Sequence, residues 1–434
     1  MQGQVADAAE ANAASGAAGG TATLTDSRSR ANLVSRFPGL APLSSHAYRY
    51  LFFGTALTMT GNFMQQVAQG WLIYDLTDSP TWLGVVSFAR GIPMLFLALF
   101  AGVLVDRLDR RVLLITAQGL TALVAIVLSA LIFTGTIQPW HVAVTAFLGG
   151  SLFVIIIPAR QALVSATVER SQLGVAIGLM STAQNSGRVL GPALAGVLIA
   201  ALGVAMSFAV QAFGFVLALL CSMMLGPQPP RAASRSVSAF QSLMEGVRYV
   251  WEDPTVLALT ALQAIPAFLI MPYNQLLPIF ARDILHTGPD GLGMLMMANG
   301  IGSVVGAVLI VLLPIRRQGL FLFVSLATFG LLLPVFAFST WLPFSTGIMG
   351  LLGGAQAIYL ASNTTLVQLA TPDELRGRVM SVYMMTWGLM PLGSLPQGIM
   401  ADLFGAPVVT AVTGFMAFLV VVIFAIRSPA IRRL

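Results

Sequence analysis

The chain has 434 residues, of which 57% are hydrophobic and 9% are charged, and its formal net charge is +6. Soluble domains carry about 25% charged residues, so this composition excludes a soluble globular protein and describes a polytopic membrane protein. All 22 basic residues are arginines, which excludes Lys-based Schiff-base and P-loop chemistry, and no nucleic-acid partner is expected.

Residues 1–45 are mostly Ala, Gly, Ser and Thr with scattered charge, and read as a disordered cytoplasmic tail. Twelve apolar segments follow, at about 49–74, 81–105, 112–133, 139–166, 173–202, 204–226, 254–281, 288–313, 319–338, 341–369, 376–404 and 407–426. Each is long enough to span a bilayer with some tilt. The one long internal gap, 227–253, opens with Pro227, Pro229 and Pro230. It then places Phe240, Leu243, Met244, Val247 and Val250 at helical spacing. This predicts an amphipathic helix at the membrane surface, joining a six-helix bundle at 46–226 to a second at 254–434.

The arginines set the orientation. They cluster in the tail, after segments 2, 4, 8 and 10, in the central gap and at the C-terminus, while Arg282 alone sits at the opposite ends. The positive-inside rule then puts both termini in the cytoplasm of a bacterial inner membrane. The single cysteine, Cys221, lies in an apolar run and supports neither an intramolecular disulfide nor a cysteine metal cluster. His46, His141 and His286 fall near segment ends, and no H-E-x-x-H, Walker or G-x-S-x-G pattern occurs. No metal, cofactor or enzymatic chemistry is expected.

Between segments 2 and 3, Gly102, Asp106, Arg107, Arg110 and Arg111 spell G-x-x-x-D-R-x-x-R-R on a tight hairpin. This pattern resembles the loop between helices 2 and 3 of the major facilitator superfamily of secondary transporters. Asp109 departs from it, where the family often has glycine, and leaves the turn geometry open. The halves also repeat: Leu83-Gly84 and Ala89-Arg90-Gly91-Ile92 are echoed by Leu292-Gly293 and Ala298-Asn299-Gly300-Ile301. The resemblance covers roughly residues 45–430. It implies an all-α fold of twelve transmembrane helices in two pseudo-symmetric six-helix bundles, alternating access and a monomer.

Segment 5 carries Gly178, Gly187, Gly191, Pro192 and Gly196, with Ala195 in place of one glycine. The spacing is similar to the helix-5 motif of drug:proton antiporters. Generic small-residue packing explains it equally well, and Pro192 predicts a kink. The stretches around Arg160 and from Thr371 to Ser381 resemble the bacterial exporter branch, which includes the enterobactin exporter and macrolide efflux proteins.

Asn62, Gln65, Gln66 and Gln69 fall on one face of segment 1, with Asn62 about 20 Å from its inner end. A glutamine stripe facing lipid is costly, so this face turns inward and is a substrate candidate. Segment 5 repeats the pattern with Gln184 and Arg188, and Arg188, near the bilayer centre, is the strongest single candidate. Arg90 lies in the outer half of segment 2. Gln263, Tyr273, Asn274, Asn299, Gln356, Tyr359 and Trp387 are the polar or aromatic candidates of the second half.

A cytoplasmic latch is expected from Gly102, Asp106, Arg107, Arg110 and Arg111 against Asp373, Glu374, Arg376 and Arg378, with Arg160 and Glu169 beside it. None of the 16 acidic residues falls clearly mid-membrane, so the group that couples transport to protons is not visible. A cavity with arginines and no carboxylates prefers anionic or neutral substrates over cations. The expectation is export of a small anionic or neutral amphiphile. An importer of a small metabolite and a non-transporting sensor or scaffold are the alternatives.

Overall fold

A computed structural model describes residues 38–226, 239–312, 317–428 and 431–432, and among these residues there is no strand. The helices are α1 (His46–Thr77), α2 (Pro80–Arg107), α3 (Arg110–Phe133), α4 (Pro139–Thr167), α5 (Leu173–Met223), α6 (Ala239–Glu252), α7 (Pro254–Leu269), α8 (Tyr273–Ile279), α9 (Gly288–Leu312), α10 (Gln318–Ala337), α11 (Leu342–Ala370), α12 (Arg376–Met385), α13 (Leu389–Phe404) and α14 (Ala406–Arg427). Local chemistry sets their starts. Asp109 accepts hydrogen bonds from the backbone N–H groups of Arg111 and Val112, and Asp253 does the same for Thr255 and Val256. The departure at Asp109 is thus a helix cap that fixes the turn. Proline opens α2, α4, α7, α11 and α14, where a missing N–H costs nothing.

The chain makes twelve crossings. Helix α5 runs for 51 residues and is two of them, divided at Gly203, whose φ of 84° only glycine adopts freely. The break falls there, and the backbone stays helical through Pro192. Two other crossings are discontinuous. The seventh pairs α7 with α8 across Ile270–Pro272, and the eleventh pairs α12 with α13 across the turn Thr386–Gly388. Sequence periodicity predicts both as unbroken. At the first break a neighbour meets the loose carbonyls: Gln397 Nε2 donates to the carbonyls of Phe268 (3.4 Å) and Leu269 (2.8 Å). Irregular backbone at membrane depth persists only where protein covers it in this way.

The predicted surface helix exists as α6, but it does not simply lie on the membrane. Gly246 packs on the backbone of Arg378, where an added Cβ would sit 2.6 Å from the carbonyl oxygen, and Glu245 pairs with Arg378. Residues 1–37 and 227–238, including the three prolines before α6, lie outside the described residues.

The apolar cores show how the two sets of six crossings meet. One core runs through both, joining Leu72, Tyr74 and Leu83 to Leu277, Phe280 and Leu292. A second, with Tyr48, Leu114, Ile156 and Leu163, belongs to the first six crossings alone. The first reaches the face where α1 passes into α2, here the far face. The second fills the opposite, arginine-rich face, where α2 passes into α3. The two sets of helices are therefore fused at the far face and separate at the arginine-rich one.

Candidate translocation pathway

Two seams join the sets of six, and the internal repeat builds both. Gly84 and Gly91 of α2 meet α13: a Cβ on Gly84 would sit 2.9 Å from the Ser394 carbonyl oxygen, and one on Gly91 would strike the Pro391 ring. Their counterparts Gly293 and Gly300 of α9 meet α5, with a Cβ on Gly293 falling 2.8 Å from Gly196 Cα and one on Gly300 falling 3.0 Å from the Arg188 carbonyl oxygen. Small residues let these backbones approach without side chains between them. The helix-5 glycines divide by role. Gly187 and Gly191 pack inside the first set, on Thr60 and its neighbours in α1, while Gly196 serves the seam, and Gly178 has open space around it.

A polar cluster seals the far face above the seams. Arg282 pairs with Asp78 (2.6 Å) and Asp283 (3.7 Å), and its guanidinium lies over the Tyr74 ring, 5.1 Å from the centroid. The Tyr74 hydroxyl donates to Asp283. Asp78 closes α1 at φ 49°, a left-handed conformation that aspartate tolerates. Across the molecule, Asp402 of α13 accepts from Ser79 Oγ (3.0 Å), the Thr81 N–H (3.0 Å) and the Thr81 hydroxyl at the start of α2. Asp78 and Arg282 are 71% and 35% exposed, and such pairs are worth about 0–1 kcal/mol each. This pair alone therefore adds little to the closure of the face. Sequence reasoning singled out Arg282 as the lone arginine at these ends but had no signal for Asp78 and Tyr74, its partners from the other half of the chain.

Beneath the seal lies a chamber of about 60 Å³, walled by Gln66 and Gln69 of α1, Ser87 and Arg90 of α2, Asn274 and Gln275 near the α7–α8 break, and Met296 of α9. Gln69 is only 2% exposed, and both atoms of its amide lack a hydrogen-bond partner. The Gln275 amide donates to the Ser394 carbonyl (2.7 Å), leaving its own oxygen unpartnered. A buried amide without partners costs a few kcal/mol, so the chamber holds unspent hydrogen-bonding capacity. Gln66, Gln69, Arg90 and Asn274, all candidates from the sequence, meet here.

Other candidates stand elsewhere. Arg188 faces the Phe63 ring at 5.6 Å and has no ion pair among the described residues. Gln184 is exposed one turn nearer the arginine-rich face, Gln65 is buried, and the Asn62 amide donates to the Thr58 carbonyl (3.0 Å). In the second set, Gln263, Tyr273 and Tyr359 are fully buried, away from the chamber walls. The hydroxyls of Tyr359 (3.2 Å) and Tyr383 (3.1 Å) both donate to Gln263 Oε1, and Asn299 donates to the Tyr273 hydroxyl (3.2 Å). Gln356 reaches only the Met271 sulfur at 3.9 Å, and Trp387 is half-buried in the α12–α13 turn.

The latch residues are engaged within their own halves or with the linker helix α6. Arg111 donates to the Met223 carbonyl (2.9 Å), Arg376 pairs with Asp373 (2.5 Å) and Arg378 with Glu245. Arg107, Glu169 and Glu374 are exposed and Arg110 is half-buried. Arg160 is 3% exposed, with its Nη2 unpartnered. The Asp106 side chain and the surroundings of Gly102 lie outside the described residues. At this face a cavity of about 590 Å³ separates α5 from α9.

A membrane-embedded bundle of this kind, with twin glycine seams, a gate at one end and an opening at the other, is a transporter and not an enzyme. Over residues 37–432 the chain matches the transmembrane secretion effector family. It belongs to that family of the major facilitator superfamily. It is 27% identical to a staphyloferrin A transporter of Staphylococcus aureus, covering 87% of this chain and 95% of that protein. It is 28% identical to the multidrug efflux pump Tap of Mycolicibacterium fortuitum (82% and 89%) and 24% identical to macrolide efflux protein A of Streptococcus pyogenes (82% and 89%). The fold is similar to that of the nucleoside transporter NupG, with TM-score 0.71, 12% identity and coverage of 89% of this chain and 98% of that one. It is also similar to a bacterial homologue of the lysosomal transporter Spinster in an inward-facing, unoccupied conformation, with TM-score 0.63, 14% identity and coverage of 89% and 96%.

Proposed function

We propose that this protein exports a small anionic or neutral amphipathic molecule across the bacterial inner membrane by alternating access. The observation that carries the reading is the chamber itself: Arg90 and the unpartnered amide of Gln69 stand together, and none of its walls is a carboxylate. Such a site, with a positive charge and no carboxylate, favours negative or neutral hydrogen-bonding groups over cations. Arg188, one helix away and free of counter-charge among the described residues, extends the same preference towards the open face. Three relatives are named for a transporter or for efflux, and two of them for efflux of drugs or macrolides.

The arginine-rich face is cytoplasmic by the positive-inside rule, and both termini lie there. The conformation described is then inward-open. The protein works as a monomer of two bundles, 46–226 and 254–434, linked by 227–253, which rock about the chamber. Asp106 and its arginines hold the cytoplasmic side shut in the other half of the cycle. Protons are the coupled ion in this reading.

The test compares wild type with Arg188→Ala at matched membrane levels in a transporter-depleted bacterial host, scoring drug and metabolite susceptibility and profiling extracellular small molecules. Protection or secretion that Arg188→Ala abolishes is the expected result. Accumulation of a nutrient inside the cells would establish import instead. No difference from empty vector would overturn transport at this site.

A further inference from the structure

The α5–α9 seam is tight from Gly293 to Gly300 and then parts. Towards the arginine-rich face the cavity of about 590 Å³ lies between the two helices, and the positions of its walls show where it leads. At 100° per residue, Ser181 and Asn185 share an edge of α5 with Arg188, on the interior side. Ser186 and Leu190 lie round the helix towards Leu194 and Val197, which are 45% and 64% exposed on the bundle exterior. On α9, Ser303 and Ala307 continue the edge of Met296, a wall of the chamber, while Val308 and Leu312 continue the exterior edge of Ile301 and Val305. The lining residues of the cavity thus span the interior and the exterior edges of both helices.

Its two walls differ in chemistry. The α5 wall is a row of uncharged polar groups, Ser181, Thr182, Asn185 and Ser186. Thr182, Asn185 and Ser186 donate to carbonyls one turn back, so they tolerate lipid yet keep acceptor lone pairs for a ligand. The α9 wall is aliphatic, with Val304, Val308, Val311 and Leu312, of which Val311 is 82% exposed. A slot with one polar and one apolar side, in the size range of small-molecule sites, fits a molecule that is itself amphipathic.

We propose that this slot is a lateral portal, through which an exported single-chain or ring amphiphile moves from the adjacent leaflet to the space beside Arg188. The proposal rests on the export reading, but its test requires no transport. In a Cys221→Ala background, single cysteines Ala307→Cys and Thr182→Cys report from the two walls, and Leu309→Cys reports from the lipid-facing side of α9. The full-length variants are labelled with bimane and reconstituted in phosphatidylcholine–phosphatidylglycerol vesicles. They are then titrated with stearic acid carrying a nitroxide near its carboxylate, and separately with phosphatidylcholine carrying the same nitroxide.

A bound amphiphile places nitroxide beside 307 and 182 in addition to what reaches 309 from the bilayer, so quenching by the stearate is expected to be steeper at 307 and 182 than at 309. The spin-labelled phospholipid is expected to show no such preference. Equal or weaker stearate quenching at 307 and 182, or the same preference for the phospholipid, overturns the portal. Loss of export in the host assay with selective quenching intact would sink the export reading alone. Export without selective quenching would sink the portal alone.

Discussion

Replacing Arg282 with glutamine removes the ion pair to Asp78 and the stack over Tyr74 while leaving Tyr74 bound to Asp283. The ion pair is largely exposed and contributes about 0.2–1 kcal/mol. A cation over an aromatic face at such a site adds about 0.5–1 kcal/mol. Together they favour the closed far face by about 1–2 kcal/mol, which is a factor of about 5–30 in the ratio of closed to open molecules. The sensor is Ser87→Cys in a Cys221→Ala background, a chamber position shielded by the gate. Its rate of modification by a membrane-impermeant thiol reagent applied from the far side should rise by that factor in Arg282→Gln. Arg282→Lys, which keeps the charge and loses the planar stack, should fall between. An unchanged rate in Arg282→Gln, with the protein still folded, would mean that the glycine seams hold the far face shut without the gate.

The seams give a contrasting pair. Gly293→Val drives a side chain into the α5 backbone, where the nearest atoms are Gly196 Cα and the Pro192 carbonyl oxygen, so the far face should open and Ser87→Cys should react faster. Gly187→Val strikes the Thr60 backbone within the first six crossings, so it should cost about 1–3 kcal/mol in thermal stability and leave that reactivity unchanged. Gln397→Leu strips the Phe268 and Leu269 carbonyls of their donor at the α7–α8 break and should destabilise the fold by about 1–3 kcal/mol, read as a lower melting temperature. Asp106→Asn should weaken the cytoplasmic latch, raising accessibility from that side and lowering transport. Unaltered values for both would remove the latch from the mechanism.

Much of the architecture is legible in one dimension because the bilayer imposes it. Apolar runs must be about 20 residues long, their backbone polar groups must be satisfied internally, and arginines stay on one side. Those constraints act on each segment separately, so composition, segment count, the division of α5 at Gly203 and the existence of α6 follow from local sequence. The inward-facing stripe of α1 is legible for the same reason, since polar side chains avoid lipid wherever the partner helix lies. The repeated Ala-Arg-Gly and Ala-Asn-Gly elements of α2 and α9 are visible too, as a pattern without a stated use.

Other features arise from contacts between residues far apart in the chain, and no local signal encodes them. Tyr74 and Asp78 meet Arg282 and Asp283 only because α1 ends beside the α8 turn. Gln263, Tyr273 and Tyr359 are polar in sequence like Gln69, yet packing turns them into a buried network while Gln69 keeps an open amide facing a chamber. The breaks after Leu269 and at Thr386 survive because a neighbouring crossing supplies donors or covers them. The sequence by itself determined what crosses the membrane and how often, because solvation free energy is paid residue by residue. Only the tertiary structure decided which polar groups are partnered, which face is closed and where the helices part, because those depend on pairwise contacts that exist once the two sets of six come together.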